Sequence, residues 1–238
     1  MNRLHSFTLG ATLLATAVTA NAGVINFDKP DADIRAASLS YSGLTVTGGV
    51  VSSNKLTGKG FSTNDVTNTW INQDSNKNGP AGLGVCSEQP GNCSGSTDSL
   101  SSNTNTNNPG GDEVLFFDFD VSTYLTRVWF NGPHKELVNH DASKPVNDLA
   151  NALFNVFYSA DGTNYKSVFG TQQQPTDFDY LDISNAGSYE KWAVAASGWG
   201  DHDSYVQKIS VTVPEPATLG MLGLGLLGLG LRRKLKSA

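Results

Sequence analysis

Residues 114–121 read Val-Leu-Phe-Phe-Asp-Phe-Asp-Val. Leu115, Phe117, Phe119 and Val121 fall on one side of an extended chain, and Asp118 and Asp120 on the other. That period of two is the pattern of a half-buried β-strand. Tyr205–Val213 (YVQKISVTV) likewise puts Ile209, Val211 and Val213 on a common face, and further strands are expected at Val24–Phe27, Leu44–Val51, Leu125–Asn131, Leu153–Ser159, Tyr165–Phe169 and Lys191–Ala196. Asp161-Gly162 sits between two of these runs, a hairpin signal, and Asn131-Gly132-Pro133 ends another. Between Gly23 and Val213 no apolar stripe of helical period is long enough for a helix; Asp148–Leu153 allows one turn at most. Many short strands with Gly, Asn and Asp turns predict an all-β fold, an antiparallel β-sandwich of jelly-roll type.

The two ends of the chain read differently. Arg3 precedes an apolar run from Phe7 to Val18, and Ala20-Asn21-Ala22 follows. A basic start, a short apolar stretch and small residues three and one before a cut make a secretory signal peptide over residues 1–22, cleaved by signal peptidase between Ala22 and Gly23. The run of about 12 residues is short for a membrane span. At the other end, Pro214-Glu215-Pro216 cannot continue a strand ladder. An apolar, glycine-rich stretch over residues 217–231 then predicts a short transmembrane helix, and Arg232-Arg233-Lys234 marks its cytoplasmic end.

The run VPEPATLGMLGLGLLGLGLRRKLK closely resembles the PEP-CTERM sorting signal of Gram-negative bacteria, with its three parts in order. The resemblance covers residues 214–238, about a tenth of the chain. It implies recognition by an exosortase, a membrane cysteine peptidase that processes the tail near Pro214, Glu215 and Pro216. It also implies transient residence in the inner membrane, then a place at the cell surface or in the extracellular matrix, often in bacteria that make exopolysaccharide and biofilm.

Between the ends lies the expected sandwich domain, residues 23–213. The whole chain of 238 residues has 16 basic and 22 acidic residues. Setting aside Arg3, Arg232, Arg233, Lys234, Lys236 and Glu215 leaves 11 basic and 21 acidic, net −10. An acidic domain without a basic cluster excludes a nucleic-acid partner, because phosphate binding works through clustered Lys and Arg. Residues 94–111 (SGSTDSLSSNTNTNNPGG) bury too little apolar surface to offset their ordering entropy and predict a polar loop. Gly82-Leu83-Gly84-Val85 before it and Asp112-Glu113-Val114-Leu115 after it resemble pieces that recur in PEP-CTERM surface proteins, which implies an insertion within one domain. The segment VFYSADGTNYKSV resembles the strand-turn-strand piece of discoidin-like and carbohydrate-binding sandwiches.

Cys86 and Cys93, the only cysteines, predict a disulfide in an exported protein. Asp74-Ser75-Asn76-Lys77-Asn78-Gly79 fits the first half of a calcium loop, with oxygens of Asp74, Asn76 and Asn78 at alternate positions. Its twelfth position is Val85 rather than Glu, so an Asn- and Gly-rich surface turn is the competing reading. Asp201-His202-Asp203 reads as a solvated loop before a metal site. Of the four tryptophans, Trp129 and Trp192 fall in strand patterns and predict core positions, whereas Trp70 and Trp199 fall in Asn- or Gly-rich loops and are candidates for stacking on a ligand. Neither H-E-x-x-H nor G-x-S-x-G occurs. Asp118 and Asp120, about 7 Å apart on one strand face, are expected at a solvent-facing sheet edge. The function expected is a non-catalytic surface or matrix protein, a sandwich that binds glycan or exopolysaccharide. A secreted glycoside hydrolase or polysaccharide lyase using two of the carboxylates is the alternative.

Overall fold

The computed structural model describes residues 21–27, 33–52, 55–74, 82–86, 112–131, 153–175, 180–184, 186–196 and 204–214. The strands are β1 (Asn21–Asn26), β2 (Ile34–Ala36), β3 (Ser38–Tyr41), β4 (Leu44–Val51), β5 (Gly60–Ser62), β6 (Val66–Gln73), β7 (Leu83–Cys86), β8 (Asp112–Asn131), β9 (Phe154–Ser159), β10 (Asn164–Ser167), β11 (Tyr180–Asp182), β12 (Tyr189–Ala196) and β13 (Tyr205–Val213). A short 3-10 turn, Thr63–Asp65, leads into β6. Residues 21–213 form one compact unit.

VLFFDFDV is the N-terminal half of β8, a strand of 20 residues. That half pairs with β4 on one side and β12 on the other, and the C-terminal half pairs with β13 and β11. β6 divides likewise: Val66–Thr69 pairs with β4 and Trp70–Gln73 with β7. The first sheet therefore runs β5-β10-β9-β12-β8-β4, with β3 and β6 beyond β4. In the second sheet β13 lies between β8 on one side and β1 and β7 on the other, and β6 and β2 follow β7. Because β6 and β8 belong to both, the pairings close on themselves through β8, β13, β7, β6 and β4. The result is a sandwich-like barrel.

Both inner faces meet in one apolar core. Val46, Leu115, Phe117, Trp192 and Val194 come from the first sheet, and Ile71, Val85, Val128, Phe130, Val206 and Ile209 from the second. Burying each large side chain contributes about 1.5–3 kcal/mol. The Trp192 indole N–H is fully enclosed and donates to the carbonyls of Thr123 and Tyr189, both at 3.0 Å, so its polar atom is satisfied.

The alternation read from VLFFDFDV holds to Phe119 and then fails. Val121 is 51% exposed, at the corner where β8 leaves one sheet for the other. Beyond it Leu125 is buried, but so are Val128 and Phe130, which have the opposite parity. The ladder to β13 shifts between Val211↔Leu125 and Ser210↔Arg127, so Thr126 is a β-bulge residue. Its hydroxyl donates to Ser210 O at 3.0 Å.

Three expectations are corrected. Trp70 is not in a loop; it sits on β6 opposite Cys86 and is half-buried. Trp129 is not core; it is a half-buried outer-face residue on β8. Asp118 is solvent-facing but not at an edge, because β8 is flanked on both sides. β1 begins at Asn21, two residues ahead of the expected signal-peptidase cut. The expected transmembrane helix over 217–231 lies outside the described residues. Among the described residues no helix is long and apolar enough to cross a membrane.

Candidate functional site

The outer face of the first sheet carries an open cleft of about 210 Å³. Its floor comes from strand register. Thr45 on β4, Asp118 on β8 and Lys191 on β12 lie opposite one another in one row. Thr47, Phe116 and Ala193 make the next row. Thr63, Val66, Asn68, Phe117, Gly162 and Tyr165 complete the lining.

Lys191 Nζ pairs with Asp118 Oδ2, an ion pair open to solvent. Opposite this polar row stands an aromatic wall. Tyr165 stacks on Phe61 at 5.0 Å between ring centres and meets Phe116 edge-on at 5.3 Å. These rings belong to a second, smaller core with Val51, Val114, Phe157, Ala193 and Ala195. Burial pushes the Tyr165 hydroxyl above its ordinary pKa, and the nearby charges of Asp118 and Asp161 push the same way. Gly49 makes the floor possible: a Cβ there would lie 2.6 Å from Val66 Cγ1 and 3.3 Å from Phe116 Cε2. Only a residue without a side chain lets those groups close over the strand.

The rim is the β9–β10 turn. Asp161 Oδ1 accepts from the backbone N–H groups of Thr163 and Asn164, each at 2.8 Å, and from the Ser159 hydroxyl at 2.9 Å. The Asn164 side-chain amide donates to Oδ2 at 2.8 Å. These donors, the Asn164 backbone first, hold the Asp161 carboxyl well below the usual carboxylate range. Gly162 takes φ +73°, the left-handed conformation the turn needs. The ladder closes only at Tyr158↔Lys166, so the connection is longer than a two-residue Asp-Gly hairpin.

The second sheet carries a different outer patch. The Arg127 guanidinium carbon lies 4.2 Å from the Tyr180 ring centre and 5.2 Å from that of Trp129, and Lys208 Nζ lies 4.7 Å from the Trp129 ring. Arg127 Nε also pairs with Asp182 Oδ1 at 2.6 Å.

The sequence candidates are dispersed. Asp74 is buried at the end of β6, and its N–H donates to Gly82 O at 2.9 Å, closing the β6–β7 connection. Asn76 and Asn78 lie outside the described residues, as do Cys93, Trp199, Asp201-His202-Asp203, Ala20, Glu215, Pro216, Arg232, Arg233 and Lys234. Cys86 is buried on β7 beside Trp70, and the Thr69 hydroxyl donates to its carbonyl. Among the described residues no three His, Cys, Asp or Glu side chains cluster to hold a metal. Ala22 is exposed on β1 opposite Thr212 of β13. Sequence reasoning singles out Asp118 but misses the other residues of the cleft. The one further signal is Phe116, a large aromatic residue on the side of VLFFDFDV that carries Asp118 and Asp120.

Fold and surface together define an all-β, sandwich-like domain with an open polar-aromatic cleft and a last strand whose end is half-buried. Residues 212–234, which begin inside that last strand, match the PEP-CTERM protein-sorting motif. The chain is thus an exported, exosortase-sorted protein directed to the cell surface in a Gram-negative bacterium. The matched family describes sorting and carries no catalytic assignment. No curated protein matches the chain.

Proposed function

We propose that the folded domain is a non-catalytic glycan-binding module, which the sorting tail delivers to the cell surface or to an exopolysaccharide matrix such as biofilm. The cleft carries this reading. An aromatic wall beside a row of hydroxyl, amide, carboxylate and ammonium groups suits a sugar, which has apolar ring faces and polar edges. Asp118 is the carboxylate in the cleft lining among the described residues, and Asp161 at the rim is taken up by the hydrogen bonds of its own turn, whereas hydrolysis calls for two flanking the bond. That favours binding over the glycoside hydrolase or polysaccharide lyase alternative.

Further parts of the reading rest on the sequence. Signal peptidase removes residues 1–22, and residues 217–231 hold the precursor in the inner membrane as a transmembrane helix until exosortase acts. Pairing of Cys86 with Cys93 is supported by the absence of a free cysteine among the described residues, and a two-dalton mass gain on reduction reads it. Calcium at Asp74, Asn76 and Asn78 is supported by the buried carboxylate at the mouth of that connection, and calcium titration followed by melting temperature reads it. The jelly-roll type is supported by the two sheet-switching strands.

A glycan array probed with residues 23–213 tests the proposal. Binding without release of reducing ends is expected, and Phe116→Ala is expected to weaken it roughly tenfold, the loss of a stacking contact. Release of reducing ends, or unchanged binding by a folded Phe116→Ala domain, would overturn it.

A further inference from the structure

The first and last strands lie side by side. Asn21 pairs with Val213, Ala22 with Thr212 and Gly23 with Val211. The expected signal-peptidase bond, Ala22–Gly23, is thus inside a ladder whose other strand runs directly into Pro214. On its far side β13 pairs with β8, as Thr212↔Tyr124 and Val211↔Leu125, and that ladder does not reach Val213. Among the described residues Asn21 is therefore Val213's ladder partner, and Ala22 is one of Thr212's two.

We infer that the N-terminal cut leaves the C-terminal processing site open, whereas a folded chain that keeps Asn21 and Ala22 holds it paired. Cleavage after Ala22 removes Asn21 and Ala22 from the ladder. Val213 is then without that cross-strand neighbour, whereas Thr212 stays paired with Tyr124 of β8. Peptidases bind substrate as an extended strand through its free backbone groups, which a paired strand does not offer. The freed segment stays in the conformation they need: a residue before proline is held out of the helical region, which fixes Val213, and Pro214 and Pro216 stiffen the chain beyond it. The strand end at Val213 is thus the docking arm for the tail-processing peptidase, available only in a chain without Asn21 and Ala22. The converse also holds. While β1 and β13 are zipped, the Ala22–Gly23 bond is itself held in a ladder, so signal peptidase acts before the last strand docks. The two cuts acquire an order from strand pairing alone.

This inference rests on the sorting reading and on the cut after Ala22. Its test is a full-length chain in an exosortase-bearing Gram-negative host, with a foreign signal peptide cleaved just before Asn21 and Ala22→Thr to remove the native cut. The secreted chain then begins at Asn21 and keeps the full ladder. A matched chain cleaved before Gly23 is the reference. Tail removal is expected to be roughly tenfold slower in the longer chain, the factor for opening about one net backbone hydrogen bond first. Amide exchange at Val213 is expected to slow with it. Equal tail-removal rates with slowed exchange would refute the docking arm, and unchanged exchange would refute the pairing. Normal processing of a Pro214→Ala, Glu215→Ala, Pro216→Ala chain would instead overturn the sorting reading, and the inference with it.

Discussion

On the outer face of the second sheet, Trp129 and Tyr180 have Arg127 and Lys208 laid against their rings, and Arg127 is tied to Asp182. On the outer face of the first sheet, Phe116 and Tyr165 instead pack on Phe61 and one another and line one open cleft with Asp118 and Lys191. Similar residue types give a self-satisfied ladder in one place and a cleft in the other. The difference arises from what packs against the rings. Phe61 of β5 and Tyr165 of β10, at the end of the first sheet, pack with Phe116, Val114 and Phe157 in a second core. The cations of the second patch come from β8 and β13 themselves.

The largest effect should come from the wall of the cleft. Tyr165 is 5% exposed and sits in the second core, so Tyr165→Ala should cost about 3–5 kcal/mol in denaturant unfolding, the usual loss for a buried aromatic. Trp129→Ala on the other face should cost about 1–2 kcal/mol, because it removes two partly solvated cation–π contacts and leaves no enclosed cavity. Equal losses at the two positions would break the contrast between a ring that is core and a ring that is surface.

This contrast is only partly legible in the sequence. Strand existence is: VLFFDFDV, Leu44–Val51 and Tyr205–Val213 carry apolar residues at period two, and burial enforces that period. Phase is not. The bulge at Thr126 flips the alternation, and nothing local to the residue announces a bulge that is set by the register of β13 against β8. Local pattern therefore puts Trp129 in the core and Trp70 in a loop, and both placements fail. The cleft is hidden for the same reason. Thr45, Asp118 and Lys191 are scattered in sequence and meet only through two ladders. The sorting tail is readable because it is a local motif, recognised as a linear segment.

The smallest effects are electrostatic, and their signs differ. Asp161, at the rim of the cleft, has a depressed pKa from hydrogen bonds to its ionised form. The folded state then holds that proton more weakly than the unfolded chain, whose carboxyl titrates near about 4. Its contribution is present above that value and is lost as pH falls through the folded pKa. Asp112, four residues before Phe116 on β8, is raised to about 6 by burial. Here the folded state binds the proton more tightly, so stability falls as pH rises from about 4 to 6 and stays lowered above. Melting curves of the wild type, Asp161→Asn and Asp112→Asn between about pH 3 and 8 span the Asp112 window, enter the Asp161 window from above, and separate the two. Asp161→Asn should melt lower than wild type near neutral pH, with the gap narrowing in acid. Asp112→Asn should melt higher near neutral pH, by about 2–4 °C, and match wild type near about pH 4. Two curves parallel to wild type would mean that neither the turn's hydrogen bonds nor the burial of Asp112 sets the stability of this face.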